Sequence, residues 1–379
     1  MKKANFLSML KSVITPEKDK VKMKVYGVPS QPLPEKHDCS VLDLAFAMDC
    51  TSSMGSYIET ARNSIRTIVE EIVSSEKSDV HLALVEYRDH PPQDRTFVTR
   101  RHNFTSSVSK MKSWLDDCSA QGGGDFPEAV ADALYDMLKL SWRENATKIC
   151  VLISDAPPHG LSPHGDEFPN GCPKGLDPMN IVRELAAKGI TLYFVGCEPP
   201  INQYKEFFTA IAYLTGAQCI PLRGAKALTQ VIIGGAQEEI SLERWMDEVD
   251  EEVQKEIAAG NQINDDEMTR RAQAKMDSKG IRGKKLQRNN LYLEAASETS
   301  VKLAGFANMA DVSANFPKVP DVSDCQTDFH VNSLTSYGLE ATSDVTPDSD
   351  VWNTVESSIS YEQVSRMMQK SKSRNNYLS

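Results

Sequence analysis

Val41-Leu-Asp-Leu-Ala-Phe-Ala-Met-Asp-Cys-Thr-Ser-Ser-Met54 holds the decisive pattern of the chain. From Val41 to Met48 the run is almost continuously apolar, as in a strand buried on both faces, and it stops at a carboxylate, Asp49. A turn, DCTSSMG, follows. Beyond it Ile58, Ala61, Ile65, Ile68, Val69 and Ile72 recur at helical spacing within 57–73. The alternation continues downstream. Strands are predicted at 80–87, 148–154, 190–195 and 217–222, and a more polar one at 96–101 suits a sheet edge. Helices are predicted at 106–116, 127–140, 178–188, 203–215 and 225–234. Strand and helix alternate throughout 41–235, which predicts an α/β fold: a doubly wound, mainly parallel, Rossmann-like sheet with helices on both faces.

In such sheets ligands sit beyond the carboxyl ends of the strands. The sequence DxTxS at Asp49, Thr51 and Ser53 sets a carboxylate and hydroxyls on one turn at such an end. A second strand end supplies Asp155. Between them, the glycine-rich loop Gln121-Gly-Gly-Gly-Asp-Phe-Pro-Glu128 delivers Asp125 just before a helix. The strands leading to Asp49 and Asp155 are expected to be neighbours at the switch point, so three loops converge. Hard oxygen donors suit Mg²⁺, Mn²⁺ or Ca²⁺, and hydroxyl, carboxylate and water together suit the octahedral preference of Mg²⁺. Each piece is a weak signal by itself; in this order and fold pattern they reinforce one another.

FAMDCTSSM (46–54), GGGDFPEAV (122–130), ISDAPPHG (153–160), GDEFPNGCP (165–173) and GITLYFVGCEP (189–199) carry a resemblance. The chain from 41 to about 235 resembles a von Willebrand factor A domain, and DCTSS resembles its metal-ion-dependent adhesion site. More narrowly, these segments are similar to the version carried by intracellular alpha-kinases of the von Willebrand A type, here without the kinase domain. The resemblance implies that Asp49, Thr51 and Ser53 surround the metal, with Asp155 bound to the ion or to its ligands. Where many adhesion-type domains supply a threonine from the middle loop, this chain has Gly124 with Asp125 beside it, and Asp125 is a candidate replacement ligand. Ser52, Gly124 and His159 are expected to contact the ligand. The implied mechanism is binding rather than turnover: an ion with an exchangeable position takes an Asp or Glu from a protein partner.

The chain has 379 residues, more than one compact domain usually holds. The reading divides it into a leader and linker (1–40), the von Willebrand factor A domain (41–235), a charged helical extension (236–290) and a largely disordered tail (291–379). A net charge of −11 argues against a dominant non-specific grip on nucleic acid. No apolar run is long enough for a transmembrane helix, and the leader lacks an uninterrupted signal-peptide core. Eight scattered cysteines without a CxxC pair read as free thiols in a reducing compartment, so a cytoplasmic location is expected. In the extension, an apolar stripe along 238–257 faces many acids, and a basic segment follows from Arg270 to Arg288; two helices of opposite charge are expected, docked on each other or on a partner.

Rival chemistries are less well supported. An aspartyl phosphotransferase would need a second acid two residues after Asp49, and Thr51 stands there. A catalytically degenerate alpha-kinase relative or phosphotransferase subunit remains the alternative function, although nothing in 236–379 offers a kinase-like order of nucleotide loop, lysine and metal-binding acids. His159, His164, Asp166 and Cys172 form a conceivable zinc set on one loop. Their spacing fits no common finger, and solvated histidines are expected instead.

Overall fold

The computed structural model describes residues 38–76, 78–162, 165–259, 264–317 and 350–375. The leader up to residue 37, His164 and the parts of the predicted tail at 318–349 and 376–379 lie outside the described residues. Six strands form the central sheet: β1 (Asp38–Asp49), β2 (Asp79–Tyr87), β3 (Thr99–Thr105), β4 (Ala146–Ser154), β5 (Ile190–Glu198) and β6 (Cys219–Arg223). Their order is β3-β2-β1-β4-β5-β6, parallel except for the edge strand β3, which runs antiparallel to β2. The polar character of the third strand fits that edge position. Six helices connect or flank these strands: α1 (Gly55–Glu76), α2 (Val108–Asp117), α3 (Val130–Leu138), α4 (Pro178–Ala187), α5 (Lys205–Leu214) and α6 (Leu228–Glu243).

Alternation along β1 sorts the two layers. Leu42, Leu44, Phe46 and Met48 enter one core with α1, α2 and α6, whereas Ala45 and Ala47 enter the other with α3, α4 and α5. Period-two alternation with large residues on one side and small ones on the other explains why this strand reads as continuously apolar. One polar exception is Asp43, fully buried in the strand, whose carboxylate accepts hydrogen bonds from the backbone N–H and Nε of Arg143, both at 2.7 Å.

Beyond the sheet the chain continues as α7 (Met246–Ala258), α8 (Asp265–Ser278), β7 (Arg282–Arg288), β8 (Leu291–Tyr292), α9 (Glu298–Ala304), α10 (Met309–Asn315), β9 (Trp352–Ser358) and α11 (Tyr361–Arg374). The two helices of opposite charge do dock on each other: Lys275 reaches Glu248 and Glu251, Lys279 reaches Glu248, and Arg271 reaches Glu256. Two expectations require correction. The basic segment is helical only to Ser278; its last part is β7, the centre of a small antiparallel sheet ordered β8-β7-β9. The described parts of the tail, 291–317 and 350–375, are structured rather than disordered, and Leu303 and Met309 pack into the core shared with α5.

A polar ladder explains both corrections. Glu238, Glu239 and Glu243 on α6 are buried instead of solvated. Arg366, Lys370 and Arg374, spaced one turn apart on α11, pair with them: Arg366 with Glu238, Lys370 with Glu239 and Glu243, and Arg374 bidentately with Glu243. Gln363 Nε2 and the backbone N–H of Leu286 also donate to Glu238, while Thr191 and Tyr193 hydroxyls donate to Glu239. α11 also buries Val364, Met367 and Met368 at helical spacing, but cations and serines fill the rest of it, and such a composition reads as disorder until the acids of α6 stand opposite. Replacing Glu243 by Ala, which strands Lys370 and Arg374 without their shared acid, is expected to lower unfolding free energy by about 3–5 kcal/mol in a denaturant titration.

Candidate metal centre

Register brings the site together. β1 and β4 pair in parallel with Met48 opposite Ile153, so Asp49 and Ser154 end adjacent strands. Ser154 Oγ donates to Asp49 Oδ2 at 2.9 Å. On the other oxygen, Thr51 donates twice to Asp49 Oδ1, from its backbone N–H at 2.9 Å and from Oγ1 at 2.6 Å. Thr51 Oγ1 lies 3.4 Å from Ser53 Oγ, and Ser53 in turn hydrogen-bonds Asp155. The glycine-rich loop is tied to this turn: Gln121 N–H donates to the Cys50 carbonyl at 3.1 Å, and Ser52 Oγ donates to the Gly122 carbonyl at 2.9 Å. Arg88, just after β2, spans the same junction, donating to the carbonyls of Cys50 and Ser119. Asp49, Thr51, Ser53 and Asp155 thus share one centre, with Ser52 and Ser53 exposed above it.

Electrostatics give this centre its character. Burial, then the charge of Asp155, push Asp49 up to about 6, against the hydrogen bonds of Thr51 and Ser154. Burial also raises Asp155. A third acid, Glu128, is 4% exposed and is pushed up to about 11 by burial and by the charges of Asp49, Asp89, Asp125 and Asp155. Among the described residues Glu128 Oε2 has no hydrogen-bond partner, and a Cβ on Gly123 would meet Glu128 Oε1 at 2.9 Å and Thr51 Cβ at 3.3 Å. The glycine is therefore required where the loop passes between Thr51 and Glu128, and its positive φ of 77–79°, shared with Gly122, is a second reason. Sequence reading missed Glu128 because an acid just before a helix reads as ordinary end chemistry. Its place in the loop that carries Asp125 was the available signal.

The remaining expected residues lie elsewhere. Asp125 turns toward Asp89 and His159, and its Oδ2 accepts from the Glu167 N–H at 2.8 Å. Gly124 packs on the neighbouring loop, where an added Cβ would meet Gln93 at 2.6 Å. His159 is beneath the surface instead of solvated: Nε2 is 2.7 Å from Asp89 Oδ1 and Nδ1 is 2.9 Å from Asp166 Oδ1. Burial opposes its charge, but the two carboxylates carry His159 up to about 9, so it is an imidazolium clamp for the loop after Asp155.

Carboxylates, hydroxyls and a buried, unpartnered carboxylate oxygen at one centre fit a hard divalent cation. Hydroxyl donors satisfy lone pairs but do not neutralise charge, and Asp49 receives its hydrogen bonds from neutral groups only among the described residues.

The family model described as von Willebrand factor A domain matches residues 43–162, so this part of the chain is similar to such a domain. Among curated relatives, the Alpha-protein kinase vwkA of Dictyostelium discoideum is 29% identical over 156 residues, 40% of this chain and 25% of its own length. An ariadne-like RING finger protein of Acanthamoeba polyphaga mimivirus is 29% identical over 209 residues, 51% of this chain and 20% of its own length. The chain thus spans a quarter or less of these relatives. A solved structure described as von Willebrand factor type A from Catenulispora acidiphila is 15% identical, covering 53% of this chain and 43% of that one, at a TM-score of 0.38. Among the described residues, no helix is long and apolar enough to cross a membrane.

The raised Asp49 fixes a pH dependence for the metal-free chain. Its folded pKa, about 6, exceeds the ordinary 3.8, so between these values the folded state binds more protons than the unfolded one. The contribution is fully present below the lower value and lost as pH rises through the upper one. On the order of 3 kcal/mol of stability should disappear over that window. Chelator-treated wild type should lose stability in denaturant titrations from pH 4 to 7, and Asp49→Asn should remove the Asp49 share, leaving a shallower fall due to Glu128 and Asp155, whose carboxyls are raised as well.

Proposed function

We propose that this chain is a non-catalytic protein-interaction module of the von Willebrand factor A type, which binds acidic protein ligands through a divalent cation, Mg²⁺ in preference to Mn²⁺ or Ca²⁺. The observation that carries the reading is the uncompensated carboxylate group of Asp49, Asp155 and Glu128 beneath an exposed rim. Asp49, Thr51, Ser53 and Asp155 would hold the ion, with Glu128 as the further acid facing it; Asp125 would act on the adjoining Asp89–His159 pair. A bound ion would neutralise these acids and offer an exchangeable position to a partner's Asp or Glu. Around it, the exposed Ser52 and Ser53 supply hydroxyls.

Binding rather than catalysis follows from the donor set, since Thr51 occupies the position where an aspartyl phosphotransferase would need its acid. The likeness to part of an alpha-protein kinase supports the alternative of a kinase-associated subunit and is testable by phosphate transfer from labelled ATP. Six free cysteines among the described residues support a reducing, cytoplasmic setting.

Calorimetric titration of Mg²⁺ into chelator-stripped protein should show one saturable site that Asp49→Ala removes while far-UV circular dichroism is unchanged. The same variant should lose Mg²⁺-dependent capture of acidic peptides by at least about a hundredfold. Undiminished, Mg²⁺-dependent capture by Asp49→Ala would sink the reading.

A further inference from the structure

A second group of metal-ligating side chains lies apart from the oxygen-rich centre. His90 follows β2, Asp132 is in the first turn of α3, and Cys172 belongs to the long loop after β4. Three segments remote in sequence thus converge. His90 Nε2 is 2.9 Å from Asp132 Oδ2, Cys172 Sγ is 3.2 Å from the same oxygen, and Cys172 Sγ is 3.7 Å from His90 Nε2. A tetrahedral zinc ion with ordinary Zn–N, Zn–O and Zn–S bonds separates such donors by about 3.3 Å for N···O and about 3.5 Å for the two pairs involving sulfur. Each separation found is within a few tenths of an ångström of that triangle. We infer that His90, Asp132 and Cys172 form a zinc site, distinct from the centre at Asp49.

Chemistry separates this reading from a thiol nucleophile. An activated cysteine faces an imidazole whose other nitrogen is oriented by an acid. Here Cys172 and His90 both face one carboxylate oxygen, and burial together with the Asp132 charge pushes the thiol up to about 11. A cation between the three donors reverses that effect. The ion takes the imidazole nitrogen, the carboxylate oxygen and the thiolate, releasing the thiol proton to solvent, and the charges of Zn²⁺, thiolate and carboxylate cancel. Lys174 Nζ, 2.7 Å from Asp132 Oδ1, holds the second oxygen and leaves Oδ2 to the ion. Burial works against the Asp132 charge, yet the donors His90, Lys174 and Cys172 hold it below the usual carboxylate range. Nitrogen and sulfur donors select a softer ion than Mg²⁺, so the two centres do not compete for one metal. The site clips the loop carrying Asp166 and Cys172 to the ends of β2 and α3.

Cobalt(II), which replaces zinc and reports its ligands by colour, tests this in the chelator-stripped full chain. One equivalent should produce tetrahedral visible bands and a thiolate-to-metal charge-transfer band, both erased by adding Zn²⁺. Cys172→Ser should remove the charge-transfer band, and His90→Gln should weaken cobalt affinity by at least about tenfold. Asp49→Ala should leave the spectrum unchanged, which separates failure here from failure of the Mg²⁺ reading. Circular dichroism checks each variant, and Cys172→Ser, which keeps a donor toward Asp132, carries the test if His90→Gln does not fold. A wild-type chain without the charge-transfer band, or a Cys172→Ser chain that keeps it, overturns the assignment.

Discussion

A carboxylate at the end of a doubly buried strand must be neutralised by a proton, a cationic side chain or an ion. Asp49 has this constraint in its strictest form, being fully buried with hydrogen bonds, among the described residues, from Thr51 and Ser154 alone. Those bonds fix the orientation of both its oxygens without supplying charge. The parallel pairing of β1 with β4 then sets a second acid, Asp155, one residue beyond Ser154, and Gly123 lets the middle loop bring a third, Glu128, against Thr51. Each of these steps deepens the local negative potential.

The strand ends were legible because an acid interrupts a run of apolar residues, a contrast visible within ten residues of sequence. The parallel sheet and the adjacency of the strands before Asp49 and Asp155 were legible too, since alternating strand and helix periods imply crossovers. What escaped reading depends on partners far away in the chain. His159 and Asp166 look like a solvated loop until Asp89, 70 residues earlier than His159, closes the clamp. Cys172 resembles a lone thiol until His90 and Asp132 arrive from separate elements. Glu128 was hidden twice over: an acid near a helix start has a bland explanation ready, and Asp49, Asp89 and Asp155, which surround it, come from other loops. The acids of α6 and the cations of α11 each read as solvent-facing, and only their mutual burial shows otherwise.

The two clusters beside the strand ends divide labour by donor softness. Oxygen donors gather where the turn is open, at Ser52 and Ser53, while nitrogen and sulfur donors gather under the long loop that follows Asp155. The His159 clamp stands between them, with its ring 5.7 Å from that of His90. A rigid wall on one side of the open centre follows from this arrangement, because the loop is fastened at its imidazole, at Asp166 and at Cys172 rather than at one point.

The ladder between α6 and α11 has a consequence in time. Residues 228–243 leave the ribosome long before residues 361–374 exist, so Glu238, Glu239 and Glu243 wait through the synthesis of more than a hundred residues without the cations that neutralise them. During that interval the sheet is nearly complete but one of its covering helices presents three acids to water. The acids of α6 therefore face water until residues 361–374 have been made, and the ladder closes only after that.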